Sequence, residues 1–320
     1  MNIKELLANY GFEVVKIDEP SSGYRNKSYP IFLKNNEIIN LVIYKKEHGI
    51  RRKIQNANIF GNELAKLGFA ARKTLLEELI IINHQNTKRY ACLYNYLPGK
   101  TIPWEAYTSK HIKLLGESMG NMHRLLSKYN INNTKFENII NHQIKKLDEM
   151  ENYFHDINVK NAISKKLSFE LILDFAKYKK LFDSLKSENF QLIHMDFVRS
   201  NILFSRKDSV EITGIIDFEK CGYGPRILDI ARTLSFLLVD SKYILPSKVY
   251  KYFLFNGYQK RSSNKLPDLS SLQDLVEFFL IYDFYKFLKY NPYEFLYLNE
   301  HFLRTCKFLH LYMIIADYQS

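Results

Sequence analysis

The segment LIHMDFVRSNILF, from Leu192 to Phe204, decides how this chain is interpreted. It holds His194, Asp196 and Asn201 at fixed spacing between two apolar runs that are typical of short β-strands. The pattern predicts a loop between two strands, with Asp196 and Asn201 carried on the loop. We expect His194, at the start of the loop, to support its shape by packing or hydrogen bonding.

A second segment, ITGIIDFEKCGYG from Ile212 to Gly224, begins with another β-type run, and Asp217 lies at the end of that run. The stretch between Asn201 and Asp217 has room for one strand, a turn and a second strand. The two side chains are therefore expected at the same edge of a hairpin. A single aspartate after a strand is usually a turn or cap residue, but here two such segments occur together and in order.

The side chains of these two segments suit the transfer of a phosphoryl group. That reaction asks little covalent work of a protein, so positioning and charge neutralisation dominate. Asp196 is placed to accept the proton of an attacking hydroxyl. Mg²⁺ on the phosphates prefers hard oxygen ligands, which Asp217 and the amide of Asn201 supply. We therefore expect ATP and Mg²⁺ as cofactors, with Asp196 as the catalytic base.

The predicted secondary structure changes near residue 95. Before it, short β-type runs are separated by turn-rich pieces, and one helical segment, Ile50–Leu67, stops at Gly68, a natural C-terminal cap. The predicted strands are Glu13–Ile17, Tyr29–Leu33, Ile38–Tyr44, Leu79–Asn83 and Tyr90–Asn95.

After Pro98–Gly99 the pattern is mainly helical. Ile112, Leu115, Met119 and Met122 recur at spacings of three and four. Further helices are predicted at Ile139–Tyr153, Leu167–Leu185, Pro246–Tyr258, Leu269–Tyr290 and Glu294–Ala316. The sequence thus predicts an α+β fold with a small β-rich lobe over residues 1–95 and a larger, mainly helical lobe over residues 96–320. We expect the second lobe to carry the catalytic loop and the acceptor site, and a cleft between lobes to hold ligands.

These motifs resemble the aminoglycoside phosphotransferase and choline kinase superfamily, the small-molecule relatives of protein kinases. The family's catalytic loop, H-G-D-L-H-x-x-N, and its metal motif, I-D-F or I-D-W, stand here as HMDFVRSN and IIDF. Its hinge is similar to LYNYLPG, Leu93 to Gly99, and its later helix motif to Gly116, Met119 and His123. The resemblance spans about Ser21 to Arg232 and implies a bilobal protein-kinase-like fold.

The resemblance also implies roles for single residues. Asn201 and Asp217 would be metal ligands, and Asp229, in ILDIA, would buttress the catalytic loop. Gly23, in SSGYRNKSY, would let the backbone approach a phosphate. Further predicted nucleotide contacts are Lys45, Asn95 and Tyr96. The candidate substrate contacts are Arg199, Glu219 and Tyr223.

The sequence departs from the family at its nucleotide-gripping strand, which usually contains Lys or Arg. Here LVIY puts Val42 at that position. Lys45 or Lys46 is a candidate replacement from a shifted register, and the alternative is that both are solvated lysines at a strand end. The glutamate expected to pair with that cation is not obvious either, because Gln55 and Asn58 occupy its region and Glu63 comes one or two helical turns later.

The predicted activity is an ATP- and Mg²⁺-dependent transfer to the hydroxyl of an amino alcohol, sugar, aminoglycoside or homoserine-like compound. The missing strand lysine leaves open a pseudokinase that binds nucleotide or a protein partner without turnover. A protein kinase is disfavoured because no A-P-E segment follows Asp217, and a P-loop kinase because G-x-x-x-x-G-K-[ST] is absent.

Composition bounds the partners and the location. The formal charge of +12 is spread along 320 residues, and no nucleic-acid motif accompanies it, so we expect no specific nucleic-acid partner. Three separated cysteines fit a reducing compartment. No signal peptide or membrane-spanning run is visible, so a cytoplasmic protein without membrane contact is expected. The sequence carries no signal for the oligomeric state.

Overall fold

The computed structural model describes residues 2–22, 26–84, 87–128, 135–167, 173–205, 210–262 and 265–310. The chain forms two compact units. The first unit combines Met1–Thr101 with Ser200–Cys221, and the second combines Ile102–Arg199 with Gly222–Ser320. The division of the chain into lobes at residues 95 and 96 stays a prediction.

A curled antiparallel sheet dominates the first unit, with β2 paired to β3 and the other strands in the order β1-β3-β4-β6-β5. Alternating apolar residues give it two buried faces. One face packs Leu41 and Leu93 against Leu7 of helix α1, Ile3–Ala8. The strands are β1 Val14–Ile17, β2 Ser21–Ser22, β3 Lys27–Leu33, β4 Ile38–Ile43, β5 Ile80–His84 and β6 Thr87–Asn95.

Helix α2, Ile50–Lys66, covers the other face of the sheet, where Ile54 packs against Val42 and Tyr94. Gly68 follows the helix with φ +85, the left-handed conformation that ends a helix. The five predicted strands and the predicted helix of this region are confirmed to within a few residues at their ends. The sequence did not reveal α1 or the two-residue strand β2.

A short hairpin joins the first unit from later in the chain. Its strands, β8 Ile202–Phe204 and β9 Ile212–Ile215, are antiparallel, with Ile202 opposite Ile215. Single bridges connect Lys100 to Phe204 and Ala71 to Ile215. The Thr213 hydroxyl also donates to the carbonyl of Pro98, at 2.5 Å. The hairpin is therefore built onto two segments, the one that follows α2 and the one that follows β6.

The second unit is mainly helical and contains one small sheet, in which β7 Phe190–Ile193 pairs antiparallel with β10 Gly222–Pro225. Helix α7 is buried along nearly its whole length, so it forms the centre of this unit. The helices are α3 Ser109–Leu126, α4 Ile139–His155, α5 Ile157–Leu167, α6 Phe175–Leu185, α7 Arg226–Asp240, α8 Pro246–Tyr250, α9 Gln259–Arg261, α10 Leu269–Tyr290 and α11 Glu300–Phe308.

Between α8 and α9 lies a π-helical stretch, Lys251–Tyr258, that packs closely on α3. At Gly116 of α3 a Cβ would collide with the carbonyl oxygen of Phe253. Only glycine allows the two backbones to approach this closely. The predicted helix Pro246–Tyr258 is thus present, but it widens to π geometry where it meets α3.

Two predicted helices were wrong in their bounds. The predicted helix Leu167–Leu185 is not continuous, because α6 begins at Phe175, where the Asp174 side chain accepts the Lys177 N–H at 3.0 Å. Helix α11 begins at Glu300 rather than Glu294, because Asn299 caps it. Residues 311–316 of that prediction lie outside the described residues. Helices α5 and α7 and strand β10 were not predicted.

The predicted fold class is confirmed, since the sheet-rich N-terminal region and the mainly helical remainder are both present. Within the described ranges, every helix is too short or too polar to cross a membrane.

Candidate active site

The loop after β7 is held by a carboxylate from α7. The backbone N–H groups of His194 and Met195 donate to Asp229 Oδ2 and Oδ1, both at 2.9 Å. Asp229 lies in the first turn of α7 and is fully buried. One carboxylate therefore satisfies two consecutive buried donors and fixes the start of the loop.

Asp229 is itself held by a buried hydrogen-bond chain. His123 Nε2 lies 3.0 Å from Asp229 Oδ2, and His123 Nδ1 lies 2.9 Å from the hydroxyl of Tyr258. Burial would raise the pKa of Asp229, but the hydrogen bond and charge of His123 and the His194 N–H outweigh it, so the pKa is lowered. The Asp229 carboxylate is therefore kept ionised.

Asp196 is placed by this loop. Its N–H donates to His194 Nδ1 at 3.2 Å, and its carbonyl accepts the Val198 N–H at 2.8 Å. The residue is 7% exposed. Met195, just before it, has φ +61, a conformation that costs a non-glycine residue about 1–3 kcal/mol and that clusters at functional sites. His194, the predicted loop support, thus bonds to the backbone of the loop.

Asn201 and Asp217 lie at one edge of the β8–β9 hairpin. The Ile216 N–H donates to the Asn201 carbonyl at 3.0 Å, which continues the ladder one step beyond the Ile202–Ile215 pair. Asp217 follows with φ +64. The shared edge predicted for the two residues agrees with this geometry.

The donor set at this edge fits magnesium. A carboxylate and an amide oxygen are the hard ligands that Mg²⁺ prefers, and one or two protein ligands suffice when phosphates supply others. In the part of the chain that the structure describes, no three His, Cys, Asp or Glu side chains cluster as a metal cage built by protein alone would require.

The segment after Asp217 is anchored inside the first unit. The Phe218 ring lies 5.3 Å from the ring of Phe60 in α2. Glu219 Oε1 accepts from Arg72 at 3.3 Å, and both side chains are nearly buried. Glu219, a candidate substrate contact, is thus paired with a cation of its own unit.

The predicted nucleotide contacts occupy different places in the first unit. Asn95 ends β6, and its Oδ1 accepts the Lys73 N–H at 2.8 Å. Tyr96 follows it and is half-buried. Lys45 is exposed just after β4. Gly23 lies outside the described residues.

The model of a phosphotransferase enzyme family matches residues 20–246, more than two thirds of the chain. The chain belongs to that family. It is therefore a phosphotransferase that acts on hydroxyl groups of small molecules, and the predicted superfamily is confirmed. No curated protein sequence matches it significantly.

Solved structures share the fold of this phosphotransferase at low sequence identity. An amicoumacin kinase in complex with AMP-PNP and Ca²⁺ is 16% identical, with 96% of this chain and 94% of that chain covered and a TM-score of 0.67. A macrolide 2'-phosphotransferase from Brachybacterium faecium is 14% identical, with 96% of both chains covered and a TM-score of 0.59. A microcompartment-associated aminopropanol kinase is 13% identical, with 96% and 94% covered and a TM-score of 0.56.

In the second unit of the phosphotransferase, Arg199 is tied to the end of α7. Its Nε donates to Asp240 Oδ2 at 3.1 Å. Burial raises the pKa of Asp240 to about 6, although the charges of Arg199 and Arg304 lower it. Tyr223, the remaining candidate substrate contact, lies in β10 opposite Leu192, half-buried.

Sequence reasoning missed three residues that support these segments: Arg72, Asp240 and Tyr258. Each acts through a partner far away along the chain, as Arg72 does on Glu219, 147 residues later. No local pattern marks such residues. The resemblance places His123 in a helix motif, and its hydrogen bonds to Asp229 and Tyr258 add a positioning role.

Proposed function

We propose that this phosphotransferase moves the γ-phosphate of ATP, held as a magnesium complex, onto a hydroxyl of a small molecule. The observation that carries the proposal is the hairpin edge, where the 3.0 Å backbone hydrogen bond from the Ile216 N–H to the Asn201 carbonyl brings the backbones of Asn201 and Asp217 close together. The left-handed φ of Asp217 adds to it, because strain of this kind persists where the surroundings fix a functional residue.

In the proposed mechanism Asp196 accepts the proton of the acceptor hydroxyl as its oxygen attacks the γ-phosphorus, and ADP leaves as the bond between that phosphorus and the β–γ bridging oxygen breaks. Asp229 holds the backbone before Asp196, so the carboxylate needs little rearrangement during the reaction. Asn201 and Asp217 would hold the metal. When bound, Mg²⁺ neutralises charge on the phosphate oxygens. His194 supports the loop, and Asn95, Tyr96, Gly23 and Lys45 are proposed nucleotide contacts.

For the acceptor we propose an amino alcohol, a sugar, an aminoglycoside or a homoserine-like compound, with Arg199, Glu219 and Tyr223 as candidate contacts. Fold neighbours include kinases named for amicoumacin and aminopropanol, which supports this range. We place the reaction in the cytoplasm, a reducing compartment, since the cysteines Cys92, Cys221 and Cys306 are free.

The test is an acceptor screen with ATP and Mg²⁺. We expect ADP release that depends on one acceptor class, and a phosphate ester of that acceptor in mass spectrometry. The mixture without acceptor is the control for ATP hydrolysis. Binding of nucleotide without ester formation from any acceptor would favour the pseudokinase, for which the replacement of the strand cation by Val42 is the motivating observation.

A further inference from the structure

The first unit contains one buried cation that the proposed mechanism does not use. Among its described lysines and arginines, Arg72 alone is buried, at 9% exposed. Taking a guanidinium out of water is costly unless its charge and its N–H groups are satisfied. A buried arginine next to a predicted metal-binding segment therefore requires an explanation.

Arg72 lies on the sheet face that α2 covers. Its guanidinium stacks on the Tyr94 ring, 4.2 Å from the ring centre, and donates to the Tyr44 hydroxyl at 3.3 Å. Tyr44 and Tyr94 share a 2.6 Å hydrogen bond, and Tyr94 donates to Asn58 of α2 at 2.7 Å. Val42 belongs to the same buried cluster. Strand β4 contains no lysine or arginine, so the positive charge on this face of the sheet is that of the Arg72 guanidinium, which comes from the segment after α2.

The same arginine is joined to the segment that carries Asp217. The Arg72 N–H donates to the Ile215 carbonyl at 3.1 Å, and the guanidinium binds Glu219 at 3.3 Å. At Gly61 of α2, a Cβ would collide with the Arg72 carbonyl oxygen, so the helix presses on this backbone. Arg72 is therefore bonded to residues on both sides of Asp217.

The Arg72–Glu219 pair is not saturated. Within the described residues, Arg72 Nε and Glu219 Oε2 are buried and have no hydrogen-bond partner. Burial opposes the charge of Arg72, but Tyr44, Tyr94 and the Asp217 carboxylate outweigh it, so its pKa is raised. A permanently charged guanidinium with an N–H group that has no acceptor is suited to bind phosphate oxygens.

We propose that Arg72 is the phosphate-binding cation of the nucleotide site and, through Glu219, a positioning residue for the Asp217 segment. This inference rests on the proposed function. It assigns to Arg72 the positive charge for which Lys45 or Lys46 is the candidate from the sequence. Lys45 is exposed just after β4, and its side chain has no role in this buried cluster.

The test is calorimetric binding of Mg²⁺–AMP-PNP and of adenosine, which lacks phosphates. We expect Arg72→Met to weaken AMP-PNP binding by about tenfold to a hundredfold, because a hydrogen bond to a charged group is lost. Adenosine affinity should stay within about twofold. Arg72→Lys keeps the charge without the guanidinium, so it should recover part of the loss. Arg51→Met, an exposed arginine of α2, is the matched control and should bind like wild type.

A second variant separates charge from folding. Arg72→Met with Glu219→Gln removes both ends of the pair, so no buried charge is left unpaired. We expect this double variant to unfold near the wild-type temperature. Its AMP-PNP binding should be as weak as that of Arg72→Met. Wild-type AMP-PNP affinity in the double variant would overturn the assignment, and so would weaker binding in Lys45→Met together with unchanged binding in Arg72→Met. A wild-type protein that binds AMP-PNP no better than adenosine would instead contradict the proposed function itself.

Discussion

Replacing Asp196 with Asn is expected to lower kcat for phosphoryl transfer by about 10²–10⁴-fold, the usual contribution of a general base. An amide cannot accept the proton of the acceptor hydroxyl. The affinity for Mg²⁺–ATP should change little, because the proposed metal ligands are Asn201 and Asp217. The effect on KM should therefore be much smaller than the effect on kcat.

The measurement is acceptor-dependent ADP release under saturating ATP, with AMP-PNP affinity measured in parallel. Asp183→Asn is a matched control, because it makes the same chemical change at an exposed carboxylate paired with Lys186. The backbone hydrogen bond from Asp196 to His194 is kept in Asp196→Asn, and the thermal midpoint of the variant is measured alongside to separate a loss of activity from a loss of folding. Equal kcat in the variant and wild type would remove Asp196 from its role.

Replacing Asp229 with Ala should be the most destabilising of these single substitutions, by about 3–5 kcal/mol in the free energy of unfolding. The substitution leaves the buried N–H groups of His194 and Met195 without a hydrogen-bond acceptor, and it removes the partner of His123 Nε2. The loop that carries Asp196 would lose its anchor, so kcat should fall as well.

Urea unfolding at neutral pH measures this stability. Asp183→Ala removes an exposed i, i+3 pair and is the control, expected within about 0.5 kcal/mol of wild type. Because the pKa of Asp229 is lowered in the folded protein, its contribution is present above the unfolded pKa and is lost as pH falls through the folded pKa. The difference in the free energy of unfolding between wild type and Asp229→Ala should therefore become smaller at acidic pH. A difference below about 1 kcal/mol at neutral pH would show that the hydrogen bonds of Asp229 do not stabilise the fold.

The positions of the Asp196 loop and of the hairpin edge with Asn201 and Asp217 could be predicted because their signals are local, while the catalytic and metal-binding roles of these residues stay predictions. A short strand, a polar residue and a turn carry the signal for Asp196, Asn201 and Asp217 within a few residues. The helix Leu269–Tyr290 was predicted with its observed bounds, since Asp268 caps it and Asn291 ends it. Predictions succeeded where start and stop signals stand next to the periodic run.

Other features could not be predicted because they depend on tertiary contacts. Helix α7 is buried along nearly its whole length and begins after Pro225 without a side-chain cap, so no local start signal marks it. The π stretch Lys251–Tyr258 follows from close packing on Gly116, which no local propensity encodes. The same holds for Arg72, whose partners are Tyr44 just after β4, Tyr94 of β6 and Glu219 after β9.

The most direct test of the central claim is the magnesium dependence of nucleotide binding. AMP-PNP is titrated calorimetrically with and without Mg²⁺ into wild type, Asn201→Ala and Asp217→Asn, with Glu211→Gln, an exposed carboxylate nearby in sequence, as control. We expect Mg²⁺ to tighten binding to wild type and the control by about tenfold or more. That gain should disappear in Asp217→Asn and shrink in Asn201→Ala. A full Mg²⁺-dependent gain in both variants would contradict the assignment of the hairpin edge as the metal site.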